Sequence, residues 1–155
     1  MQPLRIGIDP DVDKSGLAIV DKTTKDIELH NFNCGELVEY LQEKKEQIEY
    51  VVIEASWLLG KASFRIHPKD SKEVASLKGL HVGRNQGIGM ALVQALKSLN
   101  LIVIERKPLK KIWGKSGKEK ISHTELRNLC AKMKYNYNYK RTNQEQRDAL
   151  LLIIL

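Results

Sequence analysis

Four acidic residues stand where carboxylates could act together. Asp9 closes the apolar run LRIGID, Glu54 closes YVVIE, and Glu145 and Asp148 form an ExxD pair at the head of the run DALLLIIL. An acid at the end of a buried strand is costly unless its charge is compensated. Hard divalent cations supply that compensation, because carboxylate oxygens can converge on Mg2+ or Mn2+. Asp9 and Glu54 emerge at one sheet edge if their strands are neighbours. Glu145 and Asp148, three residues apart, project from one helical face toward them. Metal ions held in this way support phosphodiester hydrolysis.

Each acid also has a plainer reading. Asp9 precedes Pro10 and could initiate a turn, and Glu54 could pair with one of the many lysines. Thr142-Asn-Gln-Glu145 matches a capping box, in which Glu145 bonds the cap's backbone amide. Asp148 lies too far into its helix to cap it, which favours the ligand reading. The loop DPDVDKSG resembles a calcium loop, but Lys14 stands where glycine is needed and Val20 where glutamate is needed, so Asp11 and Asp13 are read as turn residues. GKSGK at 114–118 has Leu109 in place of the glycine a phosphate loop requires, and GRNQGIG at 83–89 lacks the dinucleotide spacing. No nucleotide cofactor is expected.

The elements that must position these acids alternate in type. LRIGID and GLAIVD read as two strands joined by a short turn, with a third strand over 26–33 and a helix over 36–47. YVVIE and LIVIE (101–105) read as buried strands. The stretch 55–83 has no clean period and is expected to be a mobile loop carrying Trp57 and Phe64. Helices are expected over 86–99 and 122–133 and from about Asn143, and a basic segment covers 106–120. This order predicts an α/β layer fold with a mixed five-stranded sheet flanked by helices, in one domain over 1–155.

Of 155 residues, 26 are Lys or Arg and 19 are Asp or Glu, a formal charge of +7 that favours an anionic partner such as nucleic acid. With no spanning apolar run, signal peptide or lipidation motif, no membrane partner is expected, and the chain reads as soluble and cytoplasmic. Cys34 and Cys130 have no CxxC or zinc spacing and read as reduced thiols.

RIGIDPDVDKSGLAIVD, VVIEASW, VGRNQGIGMALVQAL, KPLKKIWGKSGKEK and EQRDALLL occur in one order over almost the whole chain. Together they resemble the RuvC-type Holliday-junction resolvases. The resemblance implies an RNase H-like core acting as a homodimer on branched, four-way DNA, with Mg2+ or Mn2+ as cofactor. Asp9, Glu54 and Asp148 match the family's acids, and Glu145 stands where members carry Asp or His. Asp11 replaces a usual Gly. Lys120 matches a lysine after the glycine-containing turn, and Lys110 or Lys111 an upstream one; lysines there would hold the scissile phosphate. Trp57 falls where such resolvases carry a loop aromatic that stacks on bases, unless it packs into the core with Leu58 and Leu59. Arg84, read as opening a helix, is a candidate phosphate contact. The expected reaction is two-metal hydrolysis, with two ions per site, leaving a 5′-phosphate and a 3′-hydroxyl. The alternatives are a nuclease for RNA or RNA/DNA hybrid, and a non-catalytic nucleic-acid-binding protein on the same fold.

Overall fold

The computed structural model of the chain describes residues 3–60 and 66–155; Phe64 lies outside them. Five strands, β1 (Leu4–Asp9), β2 (Ser15–Asp21), β3 (Ile27–Phe32), β4 (Ile48–Glu54) and β5 (Val103–Arg106), form one mixed sheet in the order β3-β2-β1-β4-β5. The first three pair antiparallel; β1 with β4 and β4 with β5 pair parallel. The parallel pairings need crossovers, which α1 (Cys34–Lys44) and α2 (Lys72–Ser98) supply. The remaining helices are α3 (His123–Lys132) and α4 (Gln144–Ile154).

Strand alternation divides the core into two faces. Ile6, Ile8, Leu17, Ile19, Val51 and Ile53 turn toward α1 and the C-terminal part of α2. Ala18, Val20, Ile27, Leu29 and Val52 turn to the other side, where Leu126 and Cys130 of α3 and Ala149–Ile154 of α4 cover them. The linker between α3 and α4 is held by its tyrosines: Tyr139 Oη donates to the Ile27 carbonyl at 3.2 Å and accepts from the Leu29 amide at 2.8 Å.

Three expectations are corrected. The stretch expected to be loop as far as Gly83 is helical from Lys72, with Ser71 as N-cap accepting from the Val74 amide. The buried residues of α2 are Gly89, Leu92, Val93 and Leu96, all in its C-terminal half. Its first half meets no core, so no apolar period marks it. The run 101–105 is not a buried strand: β5 is the sheet edge, and Ile102 and Ile104 are 66% and 45% exposed. An apolar run cannot tell an edge from a centre. Finally, the cap of α4 is Asn143, which forms its box with Gln146. The expected Thr142–Glu145 box is one residue out of register, and Glu145 is released from that task. No helix among the described residues is long and apolar enough to cross a membrane.

Candidate functional site

Alternation along β1 decides where Asp9 points. Leu4, Ile6 and Ile8 belong to the α1/α2 face, so Arg5, Gly7 and Asp9 fall on the α4 face. Glu54 lies two residues beyond Val52, which packs on that same α4 side. Parallel pairing of Gly7 with Val52 and Ile8 with Ile53 brings the ends of β1 and β4 level. Helix α4 crosses this face where the sheet has no side chains. A Cβ on Gly7 would overlap the Ala149 carbonyl oxygen, and one on Gly16 would overlap the Glu145 backbone. The helix therefore rests on bare backbone, and its first turns carry Glu145 and Asp148 to the end of β1.

The carboxylates are close enough to perturb one another. Burial, then the charges of Glu54 and Asp148 and lastly Glu145, push the Asp9 carboxyl up to about 8, with Lys120 opposing them. Burial and Asp148 also raise Glu54, again against Lys120. Lys120 Nζ donates to Asp148 Oδ2 at 2.5 Å, and Gln144 Nε2 donates to Oδ1 at 2.7 Å. Burial works against the Lys120 charge, but Asp148, Asp9 and Glu54 outweigh it and hold the ammonium above its ordinary range. One cation thus serves several acids.

This donor set fits a hard divalent ion in kind and in charge. The donors are carboxylate oxygens, and the raised Asp9 marks a cluster short of positive charge. Its spacing is looser than a coordination shell: among the described residues, no three His, Cys, Asp or Glu side chains are arranged to hold a metal ion as they stand. Lys120, bonded to Asp148, supplies the compensation in this arrangement.

The predicted basic residues divide. Lys110, Lys111 and Lys120 line one cavity of about 110 Å³ together with Glu54, Asp148 and Trp113. Arg84 is elsewhere. It is exposed in the middle of α2 rather than at a helix start, so the expected helix N-terminus is not there to assist it. Its neighbour Asn85 ties α2 to the turn after β1, accepting from the Val12 amide at 3.0 Å and donating to Asp11 Oδ2 at 3.3 Å. Asp11 also accepts from the Asp13 amide, as a turn residue should.

Trp57 packs against the α1/α2-side core, as the second of its two readings expects, but without Leu58 and Leu59. Its ring lies flush on Gly89 beside Pro10, on the sheet face away from α4, and its Nε1 donates to Glu105 Oε2 at 3.0 Å. Leu58 and Leu59 do not join it in the core; they are 40% and 36% exposed. All three residues lie on the 3₁₀ turn Ser56–Leu59.

Sequence reasoning missed Gln144 and Trp113. Gln144 stands four residues before Asp148, a helical spacing at which amide and carboxylate meet, so the signal was present. Trp113 sits inside the basic segment, whose charge masks it.

No family model matches the chain, and no curated protein does. Among solved structures, it is similar to Thermus thermophilus RuvC in complex with a Holliday junction substrate. The TM-score is 0.53 at 18% identity, covering 96% of this chain and 89% of that one. The fold is that of RuvC. A second structure of Thermus thermophilus RuvC gives 0.48 at 16% identity over 96% and 90% of the two chains. The large terminase nuclease of thermophilic phage G20c gives 0.35 at 17% identity over 97% and 80%. The RNase H-like, mixed five-stranded expectation holds at the level of fold.

Proposed function

We propose that residues 1–155 form a single nuclease domain that cuts four-way DNA junctions with the help of Mg2+ or Mn2+, working as a homodimer. One observation carries the reading: the level ends of β1 and β4 and the seating of α4 on Gly7 and Gly16 gather Asp9, Glu54, Glu145 and Asp148, close enough that burial and their charges push Asp9 up to about 8. A protein keeps such an arrangement where a charged ligand offsets it. The RuvC structure with the same fold holds a Holliday junction, which supports branched DNA as the substrate class.

Asp9, Glu54 and Asp148 would hold the metal, with Glu145 as fourth donor now that Asn143 and Gln146 cap α4. Two bound ions would supply Lewis acidity for the attacking water and for the leaving 3′ oxygen. Lys120, released from Asp148, reaches toward the scissile phosphate and offsets its developing charge. Lys110 and Lys111 hold the adjoining backbone, and Arg84 contacts phosphate further along α2. Trp57, committed to Gly89 and Glu105, is given no base contact.

The test is cleavage of a mobile and a fixed four-way junction with Mn2+, beside a fork, a linear duplex and an RNA/DNA hybrid. Junctions are expected to be cut in preference, and the Asp9→Asn protein to cut nothing. Preference for the hybrid would replace the substrate class. No cutting on any substrate would favour a non-catalytic binding protein, the reading to which the Lys120–Asp148 pair lends itself.

Lys120 has its own expected result. Lys120→Met should slow single-turnover cleavage on the order of 100-fold or more, and Lys120→Arg should recover part of the loss because the charge remains. Cleavage by the Met variant at the wild-type rate would remove Lys120 from the reaction.

A further inference from the structure

We propose that Trp113 is the wall of a nucleobase-binding notch beside the carboxylates. On this reading, one base of a bound strand packs on the indole while the flanking phosphate lies among the lysines. The inference rests on the proposed action on nucleic acid and adds where a base is held.

The notch is the cavity of about 110 Å³ that contains Glu54 and Asp148. Its apolar walls are Pro108, Leu109, Ile121 and Leu151, while Lys110, Lys111 and Lys120 provide cations. An engineered, closed apolar cavity of about 150 Å³ accepts benzene, so a smaller notch of about 110 Å³ offers contact to one face of a flat ring rather than enclosing a whole nucleotide. Apolar walls next to carboxylates and lysines match a nucleotide's own division into an aromatic base and an anionic phosphate. Inorganic phosphate alone would leave the apolar walls unused.

The turn that carries Trp113 is pinned, and the indole packs against the α4-side core. The Trp113 amide donates to the Glu119 carbonyl at 3.1 Å, and the Glu119 amide donates back at 3.0 Å, closing the turn that ends beside Lys120. Gly114 and Gly117 take positive φ values of 72° and 63° in that turn. The Gly114 amide donates to Glu125 Oε1 at 2.8 Å, pinning the turn to the first turn of α3, where Glu125 also completes the capping box with Ser122. Trp57 is tied to Glu105 on the other side of the sheet. Trp113 alone of the two tryptophans therefore stands in the cleft with the acids.

The experiment uses the full chain carrying Asp9→Asn, to prevent cutting, and Trp57→Phe, so that Trp113 is the only indole. It is titrated in Mg2+ with a short oligothymidylate and with an abasic oligodeoxynucleotide of the same length, following indole emission and, separately, binding by anisotropy. Quenching by the oligothymidylate and none by the abasic strand is expected. Trp113→Ala should weaken oligothymidylate binding roughly 5- to 100-fold, with abasic binding unchanged and Trp113→Phe near wild type. Binding of both strands without quenching, or an equal loss for both in Trp113→Ala, would overturn the notch, as would failure to bind either. Base-dependent quenching in this variant, with a wild-type protein that cuts no substrate, would uphold the notch and remove the nuclease. Cutting by the wild type, with no quenching in the variant, would do the reverse.

Discussion

Replacing Asp9 by Asn should make the metal-free protein more stable at pH 8 and, on the proposed function, abolish cleavage. The native carboxyl is raised from 3.8 to about 8, so the folded state binds its proton more tightly than the unfolded chain does. For a raised acid the sign is fixed: stability is greatest below the unfolded pKa, falls as pH rises between about 4 and about 8, and is flat above. Each tenfold difference in proton affinity corresponds to about 1.4 kcal/mol, so the liability reaches several kcal/mol at the upper end. Asn keeps the shape and removes the charge, and its amide can donate to the surrounding carboxylates. Denaturant unfolding of the two proteins across pH 4 to 8 without metal should therefore show their difference growing with pH. Mn2+ at pH 8 should raise the unfolding temperature of the wild type and scarcely move the variant. A pH-independent difference would show that Asp9 is not under this strain, whatever happens to activity.

Gly7→Ala should cost about 3 kcal/mol or more and leave little folded protein. The added methyl would meet the Ala149 carbonyl oxygen and carbon, and then Ile153 Cγ2. The first two are backbone, so trimming the side chain at 149 offers no relief. Strand β1 cannot retreat, because β2 and β4 hold it on both sides. Lifting α4 instead would open the face covered by Ala149–Ile154, all buried. Gly83→Ala is the control, because nothing stands within 4 Å of its Cβ. In the helix interior it should stabilise by roughly 0.5–1 kcal/mol. Equilibrium unfolding decides both, and a Gly7→Ala protein within about 0.5 kcal/mol of wild type would mean that α4 does not rest on β1 as described.

Much of this arrangement was legible in the residues. Alternation announced β1, short apolar runs between polar turns announced β2 to β4, and the helical spacing from Ile88 onward announced the part of α2 that packs on the sheet. The N-terminal half of α2 was invisible for the same reason: Val74, Leu77 and Leu80 are 41%, 54% and 48% exposed, so no burial imposed a pattern on their neighbours. The four acids could be picked out because charge at the end of an apolar run is unusual. Their grouping could not be derived, because it depends on strand order and on Gly7 and Gly16, which matter for the side chains they lack. Thr142 and Asn143 are both good caps, and the choice fell to Asn143, whose Nδ2 also reaches Asn31 at 2.7 Å. The chain has two tryptophans, yet only tertiary contacts tell which one faces the acids.

The seat of α4 has a consequence for how the chain comes to life. Asp148 immediately precedes the six residues that, with α3, cover one side of the sheet. The same docking event that completes this core also delivers the last acids to Asp9. A chain halted or cut between α3 and α4 would retain every strand and two of the four carboxylates, Asp9 and Glu54, and lack Glu145 and Asp148. The grouping of the four acids is thus conditional on the seating of α4, and local fraying of that helix disperses it.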